Sequence, residues 1–390
     1  MTIPLPNVLT RTFEQFVRSE QGSSMLLIAC TLLALALTNA PTGPAYLAFW
    51  QNHVGGLSLE HWVNDGLMAI FFLLIGLELE RELYVGELSE PKKALLPIVA
   101  AVGGMVVPAL IHYSLNAGLP SQNGIGIPMA TDIAFALGVI ALLGPRIPAA
   151  LKVFVVAFAV MDDLGAIVII AIFYTAKVST AYLLAAMAVW VGLVVLNRYF
   201  RIMALVPYLL GGALMWFLML KSGVHATIAG VLLAFAIPFR ASSGDSPSHR
   251  LEHALHRPIA FVVLPVFALA NAGILVGEGW LQDLATMNSA GIAGGLLIGK
   301  PLGVTLACLL AVYLGACRLP SELNWSHVIG AGFLGGIGFT MSIFITNLAF
   351  TADAELVNAS KLAILLASLT AGIVAYVWLR VTGRAEDNVT

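Results

Sequence analysis

Apolar residues run in long blocks along this chain, separated by short polar stretches, and twelve blocks can be marked. They lie near 22–40, 62–79, 94–114, 125–143, 150–174, 180–197, 203–220, 224–237, 259–275, 290–314, 328–350 and 357–379. A helix needs about 20 apolar residues to cross the ~30 Å hydrocarbon core of a bilayer, so most blocks predict spans while several are short. Ahead of the first block, residues 9–20 set Phe13, Phe16 and Val17 on one helical face, which predicts a helix lying in the membrane interface. Between the first two blocks, YLAFWQNHVGGLSLE holds two strand-like runs around Gly55 and Gly56. They predict a small hairpin within 44–60, with an irregular loop as the alternative.

Composition agrees with this pattern. Of the 390 residues 59% are hydrophobic and 10% charged, against about a quarter charged in ordinary soluble domains. The expected fold is an all-α polytopic membrane protein of twelve transmembrane helices in one integral unit over 1–390. Residues 1–21 would precede the helical core, 22–379 form it, and 380–390 make a tail. No basic run suggests nucleic acid as a partner. Cys30, Cys308 and Cys317 lie in or beside apolar blocks without metal-ligand spacing and read as packing residues. Block 22–40 superficially resembles a secretory signal, but Pro41 follows the small-residue site, so it reads as an uncleaved first span.

Basic residues orient the chain. Placing the N-terminus in the cytoplasm puts fifteen Lys and Arg on the inner side and only Lys177, Lys221 and Lys361 outside, so both termini are expected in the cytoplasm. Lys300 alone is left within the membrane.

Block 150–174 carries the chemistry. Asp162 and Asp163 fall near its middle, where one carboxylate costs about 2.5–3.5 kcal/mol even on a lenient insertion scale. They must be paired, protonated or bound to a cation. Asp132 and Lys300 are also deep, and Asp65 is shallower. A closed salt bridge that only stabilises the fold is the plain alternative for each of the deep four, Asp132, Asp162, Asp163 and Lys300. Three deep acids against one base nevertheless leave carboxylate that must bind something. Neighbouring helical residues point about 100° apart, so one aspartate can take Lys300 while the other faces an aqueous funnel. Carboxylates, the Thr131 hydroxyl and carbonyls freed at a helix break are the oxygen ligands a small hard cation needs.

Two blocks look interrupted. In GIGIPMATDIAFALG, Pro128 lacks a donor while Thr131 and Asp132 compete for backbone groups. In VIGAGFLGGIGFTMSIFI, Gly335, Gly336 and Gly338 weaken the helix ahead of Thr340 and Ser342. Close helix packing is the bland reading of those glycines. Each interrupted block is the middle of a set of three, and the two sets run in opposite directions. Paired broken segments in inverted repeats point to a transporter site. Half-helix ends carry partial charges, for which Asp132 and Lys300 are the candidate neutralisers. Protons and Na⁺ competing for the carboxylates, combined with alternating access, suffice for exchange. A Na⁺-coupled solute symporter on a related fold is the main competitor. An intramembrane aspartyl protease would share a proton between two acids, but no Gly-x-Gly-Asp loop occurs. A channel lacks any ring of repeated filter residues.

The stretches NDGLMAIFFLLIGLELEREL, ATDIAFALGVIALLG, MDDLGAI, LKSGVHATIAGV, RLEHALH, FALANAG, GLLIGKPLG and GGIGFTMSIFI closely resemble bacterial NhaA-type Na⁺/H⁺ antiporters, in order, from about residue 12 to 382. The resemblance implies a twelve-helix inner-membrane antiporter with two crossing broken helices. It would export Na⁺ or Li⁺ against protons and need no cofactor beyond these ions. Asp163 would be the central cation ligand, with Asp162 beside it exchanging between Lys300 and the ion or proton. Na⁺ would sit at Asp163, Asp162 and Thr131, with Asp132 at the first break and Gly338 and Thr340 at the second. Regulation by pH would act through Glu78, Arg81 and Glu82 together with Glu252, His253 and His256. A homodimer would form through the outer hairpin of 44–60. Independently of the family, RLEHALH puts Glu252 and His256 one helical turn apart, and histidine titrates in the physiological range. An ordinary solvated juxtamembrane face is the alternative. Glu80, Ala241, Ser242 and His249 depart from the family's best-known member, which bears on the pH set point and not on the ion site. His225 matches a family histidine at the outer side, yet by itself reads as a hydrogen-bonded packing residue.

Overall fold

In hydrocarbon a backbone can satisfy its polar groups only within itself, so apolar runs of this length are driven into helices. The computed structural model describes residues 6–174, 178–240, 246–277, 279–351 and 353–382, with side chains from residue 22 onward except 87, 91–93 and 145. Among the described residues seven helices are long and apolar enough to cross a membrane: Leu59–Tyr84, Ala94–Asn116, Ala149–Phe173, Thr180–Arg198, Pro247–Asn271, Met287–Tyr313 and Ala354–Thr382. Counting each sharply bent helix pair as one span raises the number to ten. The pairs are Gly22–Thr38 with Gly43–Trp50, Pro120–Met129 with Ile133–Leu143, and Trp325–Gly335 with Phe339–Ala349. Leu184, Leu210 and Leu306 stand exposed on the outside, as hydrocarbon-facing side chains do. The chain is a multi-pass membrane protein.

Several expectations need correction. The first block and the residues ahead of it form one continuous helix, Pro6–Asn39, where a separate interfacial helix was expected. The face of Phe13, Phe16 and Val17 lies outside the described side chains, as do Ala241 and Ser242. Within 44–60, YLAFW belongs to a helix, Gly43–Trp50, because aromatic and aliphatic residues in a row suit either element. The hairpin is confined to His53–Val54 paired antiparallel with Leu57–Ser58. Gly55 and Gly56 turn it, with φ of 62° and 88°, a conformation that disfavours side chains. Block 224–237 holds only the helix Ile228–Ala234, seven residues and thus too short to span alone.

The helices Pro91–Asn116 and Met287–Tyr313 approach backbone to backbone at Gly103 and Gly303. A Cβ added at Gly103 would collide with the Gly303 carbonyl oxygen, and one at Gly303 with the Gly103 carbonyl oxygen. This reciprocal contact brings Lys300, three residues from Gly303, toward the middle of the molecule.

Candidate functional site

The two interrupted helices meet at their breaks. Pro120–Met129 is a 3₁₀ helix, tighter than the α-helix expected of it, and the chain is extended from 130 to 132 before Ile133–Leu143 begins. The second break separates Trp325–Gly335 from Phe339–Ala349. The Asp132 N–H donates to the Ile337 carbonyl at 2.6 Å, tying the broken strands of chain together. Thr131 Oγ1 donates to the Gly335 carbonyl at 2.9 Å, and Ser342 Oγ donates to the Ile127 carbonyl at 2.7 Å. Carbonyls left over at two helix ends thus find hydroxyl donors from the other interrupted segment.

Asp132 serves the amino ends. Its Oδ1 accepts the Phe135 N–H at 3.1 Å, capping Ile133–Leu143. Its Oδ2 accepts both the N–H of Thr340 at 3.0 Å and the Thr340 hydroxyl at 2.5 Å, in the first turn of Phe339–Ala349. One carboxylate therefore sits at the positive ends of two half-helices, the role expected for it. Gly338 permits the approach, since a Cβ there would press on Ser342 Oγ and the Ala130 carbonyl oxygen.

Lys300 and the aspartate pair complete the centre. Lys300 Nζ donates to Asp162 Oδ2 at 2.6 Å and to Thr131 Oγ1 at 3.1 Å, with both partners of the ion pair wholly buried. The ammonium also lies 5.5 Å from the centre of the Phe158 ring, a contact that sequence reading did not single out. Lys300 reaches the break through Thr131 instead of touching a carbonyl itself. Of the three deep aspartates, Asp162 alone forms an ion pair among the described residues, with Lys300. Asp163, 1% exposed, has neither carboxyl oxygen hydrogen-bonded among the described residues. A buried carboxylate without such partners is costly unless it takes up a cation or a proton.

Asp163 also borders a cavity. Lined by Asp132 and Thr340 as well, this space of about 150 Å³ reaches Glu78, Arg81, Glu82, Glu252 and His256. At that end Arg81 Nε pairs with Glu252 Oε1 at 2.9 Å and its Nη1 with Glu82 Oε1 at 3.0 Å. His249 Nδ1 stands 3.6 Å from Glu252 Oε2. His253 is exposed and makes none of these contacts. Buried Glu80 accepts from Ser248 Oγ at 2.9 Å; Ser248 escaped sequence reading because a lone serine near a helix start carries no distinctive pattern. His225 Nε2 hydrogen-bonds the Tyr174 carbonyl at 2.7 Å, as a packing residue would. Asp65 pairs with His61 at 2.9 Å, away from the centre.

A buried ion pair, a second buried acid without hydrogen bonds among the described residues, and two broken helices that meet at their breaks together define a membrane transporter of small cations. The family model for Na⁺/H⁺ antiporter 1 matches residues 14–379, and the chain belongs to that family. The Na⁺/H⁺ antiporter NhaA of Dechloromonas aromatica is 66% identical over 373 residues, 95% of this chain and 96% of the relative. That of Cytophaga hutchinsonii is 54% identical over 374 residues, covering 96% of each. Among solved structures, the sodium proton antiporter MjNhaP1 of Methanocaldococcus jannaschii superposes with a TM-score of 0.53 over 93% of this chain and 91% of its own. At 13% identity that match speaks for the fold alone.

Proposed function

We propose that this protein exchanges Na⁺ for protons by alternating access, with Asp163 as the shared carrier of both. The observation that carries this reading is the buried Asp163 carboxyl, without a hydrogen-bond partner among the described residues, on a cavity that runs to an acidic mouth. Lys300 neutralises Asp162, and the two half-helix amino ends offset Asp132, so the surplus charge falls on Asp163. A proton or a Na⁺ or Li⁺ satisfies it, and each displaces the other. Asp162 turns from Lys300 toward the ion when Na⁺ arrives, and Thr131 adds its hydroxyl. A Na⁺ that displaces more than one proton makes the cycle electrogenic, and an inside-negative potential then drives proton entry at about 2.3 kcal/mol per charge per 100 mV.

The finer architecture belongs to the same reading: one twelve-helix unit over 1–390 in a bacterial inner membrane, both termini cytoplasmic, requiring no cofactor. The reciprocal close approach of Gly103 and Gly303 supports inverted three-helix repeats. A homodimer through 44–60 and pH regulation by the Arg81–Glu252 cluster complete it. The symporter alternative finds no support, since the relatives are named antiporters and the cavity at Asp163, about 150 Å³, is small for an organic solute.

The test is proton-gradient dissipation in inverted vesicles on addition of Na⁺, Li⁺ or K⁺ across pH, with and without a membrane potential. Na⁺ and Li⁺ are expected to dissipate the gradient, and the rate to follow the potential. Solute uptake accelerated by Na⁺ without gradient collapse would overturn the assignment.

A further inference from the structure

A second cavity, of about 860 Å³, lies away from the ion site. One wall is apolar and runs along two spanning helices: Leu96 on Pro91–Asn116, and Val153, Phe154 and Ala157 on Ala149–Phe173. The rim is the turn after Tyr313, entered through Gly315 at φ 71°, which carries Arg318 and Glu322. Both charged side chains are exposed, line the same cavity, and form no hydrogen bond or ion pair among the described residues.

We infer that this cavity binds a membrane phospholipid whose headgroup carries both a phosphate and a primary ammonium. The cavity begins where the helices end and continues one to two turns inward, so it straddles the boundary between headgroups and hydrocarbon. A water-soluble ligand would leave the wall of Leu96, Val153 and Phe154 unfilled, whereas an acyl chain covers it. Its volume falls in the range of small-molecule sites. At the rim, Arg318 offers the planar donor set suited to a phosphate. Glu322, four residues on, sets a negative charge beside it, which disfavours a purely anionic headgroup and gives an ammonium its acceptor. A trimethylammonium has no N–H to donate to that carboxylate, so a phosphoethanolamine headgroup fits better than phosphocholine.

The test is native mass spectrometry of the full chain released from detergent, titrated with phosphatidylethanolamine, phosphatidylcholine and phosphatidylglycerol of identical acyl chains. The wild type is expected to retain phosphatidylethanolamine best. Arg318→Gln is expected to weaken its binding about tenfold, as loss of a charged hydrogen bond does. Glu322→Gln is expected to erase the preference over the other two lipids while leaving binding itself. Both residues are exposed, so the variants fold, and an unchanged thermal unfolding curve verifies that. Wild-type binding in both variants, or a wild type that prefers phosphatidylglycerol, would overturn the inference.

Discussion

Thr131→Val removes one oxygen and adds a methyl of similar size, so its effect can be worked from two contacts. The Thr131 hydroxyl donates to the Gly335 carbonyl at 2.9 Å and accepts from Lys300 Nζ at 3.1 Å, in a residue with no exposure. Valine leaves a helix-end carbonyl without its donor and the ammonium with one acceptor fewer, while the 2.6 Å bond to Asp162 remains. Each buried group left unsatisfied costs about 1–3 kcal/mol, so the variant is expected to lose about 3 kcal/mol of stability. Thr131→Ser keeps the oxygen and is expected to lose under about 1 kcal/mol, from the missing methyl. The measurement is denaturant or thermal unfolding in detergent followed by tryptophan fluorescence, with the Na⁺ concentration dependence of exchange in vesicles alongside. Valine should raise the Na⁺ concentration for half-maximal rate, and serine should not. If valine unfolds with the wild type, or serine falls with valine, then the hydroxyl does not join the two breaks to Lys300.

Asp163→Asn is expected to eliminate Na⁺-dependent gradient collapse in vesicles while the protein remains folded, and wild-type exchange would strip Asp163 of its role. Lys300→Ala strands buried Asp162 and should cost about 3–5 kcal/mol when that carboxylate is ionised. The deficit should shrink on acidification, which neutralises the acid; a stability gap independent of pH would contradict the pairing. Gly103→Val and Gly303→Val should each force the same two helices apart, with similar losses of yield and unfolding temperature; tolerance of either would contradict the contact. His256 lines the cavity whereas His253 is exposed, so His256→Ala alone should move the pH–activity profile as far as the double variant does. A shift found only in His253→Ala would reverse that assignment.

Much of this protein could be read from its sequence, for a reason particular to membranes. Hydrocarbon makes a lipid-exposed backbone satisfy itself, so a long apolar run such as 150–174 translates directly into a helix. The same solvent makes every deep charge conspicuous, which is why Asp132, Asp162, Asp163 and Lys300 stood out before any geometry. Pro128 and the Gly335–Gly338 run likewise marked the breaks, because those residues weaken a helix locally. Patterns failed where two elements share a composition: YLAFW is as apolar as a strand but coils, and 224–237 is as apolar as a span but holds seven helical residues. What only the tertiary structure decided is partnership. Asp162 and Asp163 are chemically identical neighbours, and nothing in MDDLGAI says which one Lys300 will take. The helix Met287–Tyr313 approaches from one side through Gly303 and reaches Asp162, while Asp163 is turned by about 100° onto the cavity. That rotation, fixed by the packing of helices far apart in the chain, gives one acid the ammonium as its partner and leaves the other without a hydrogen bond among the described residues.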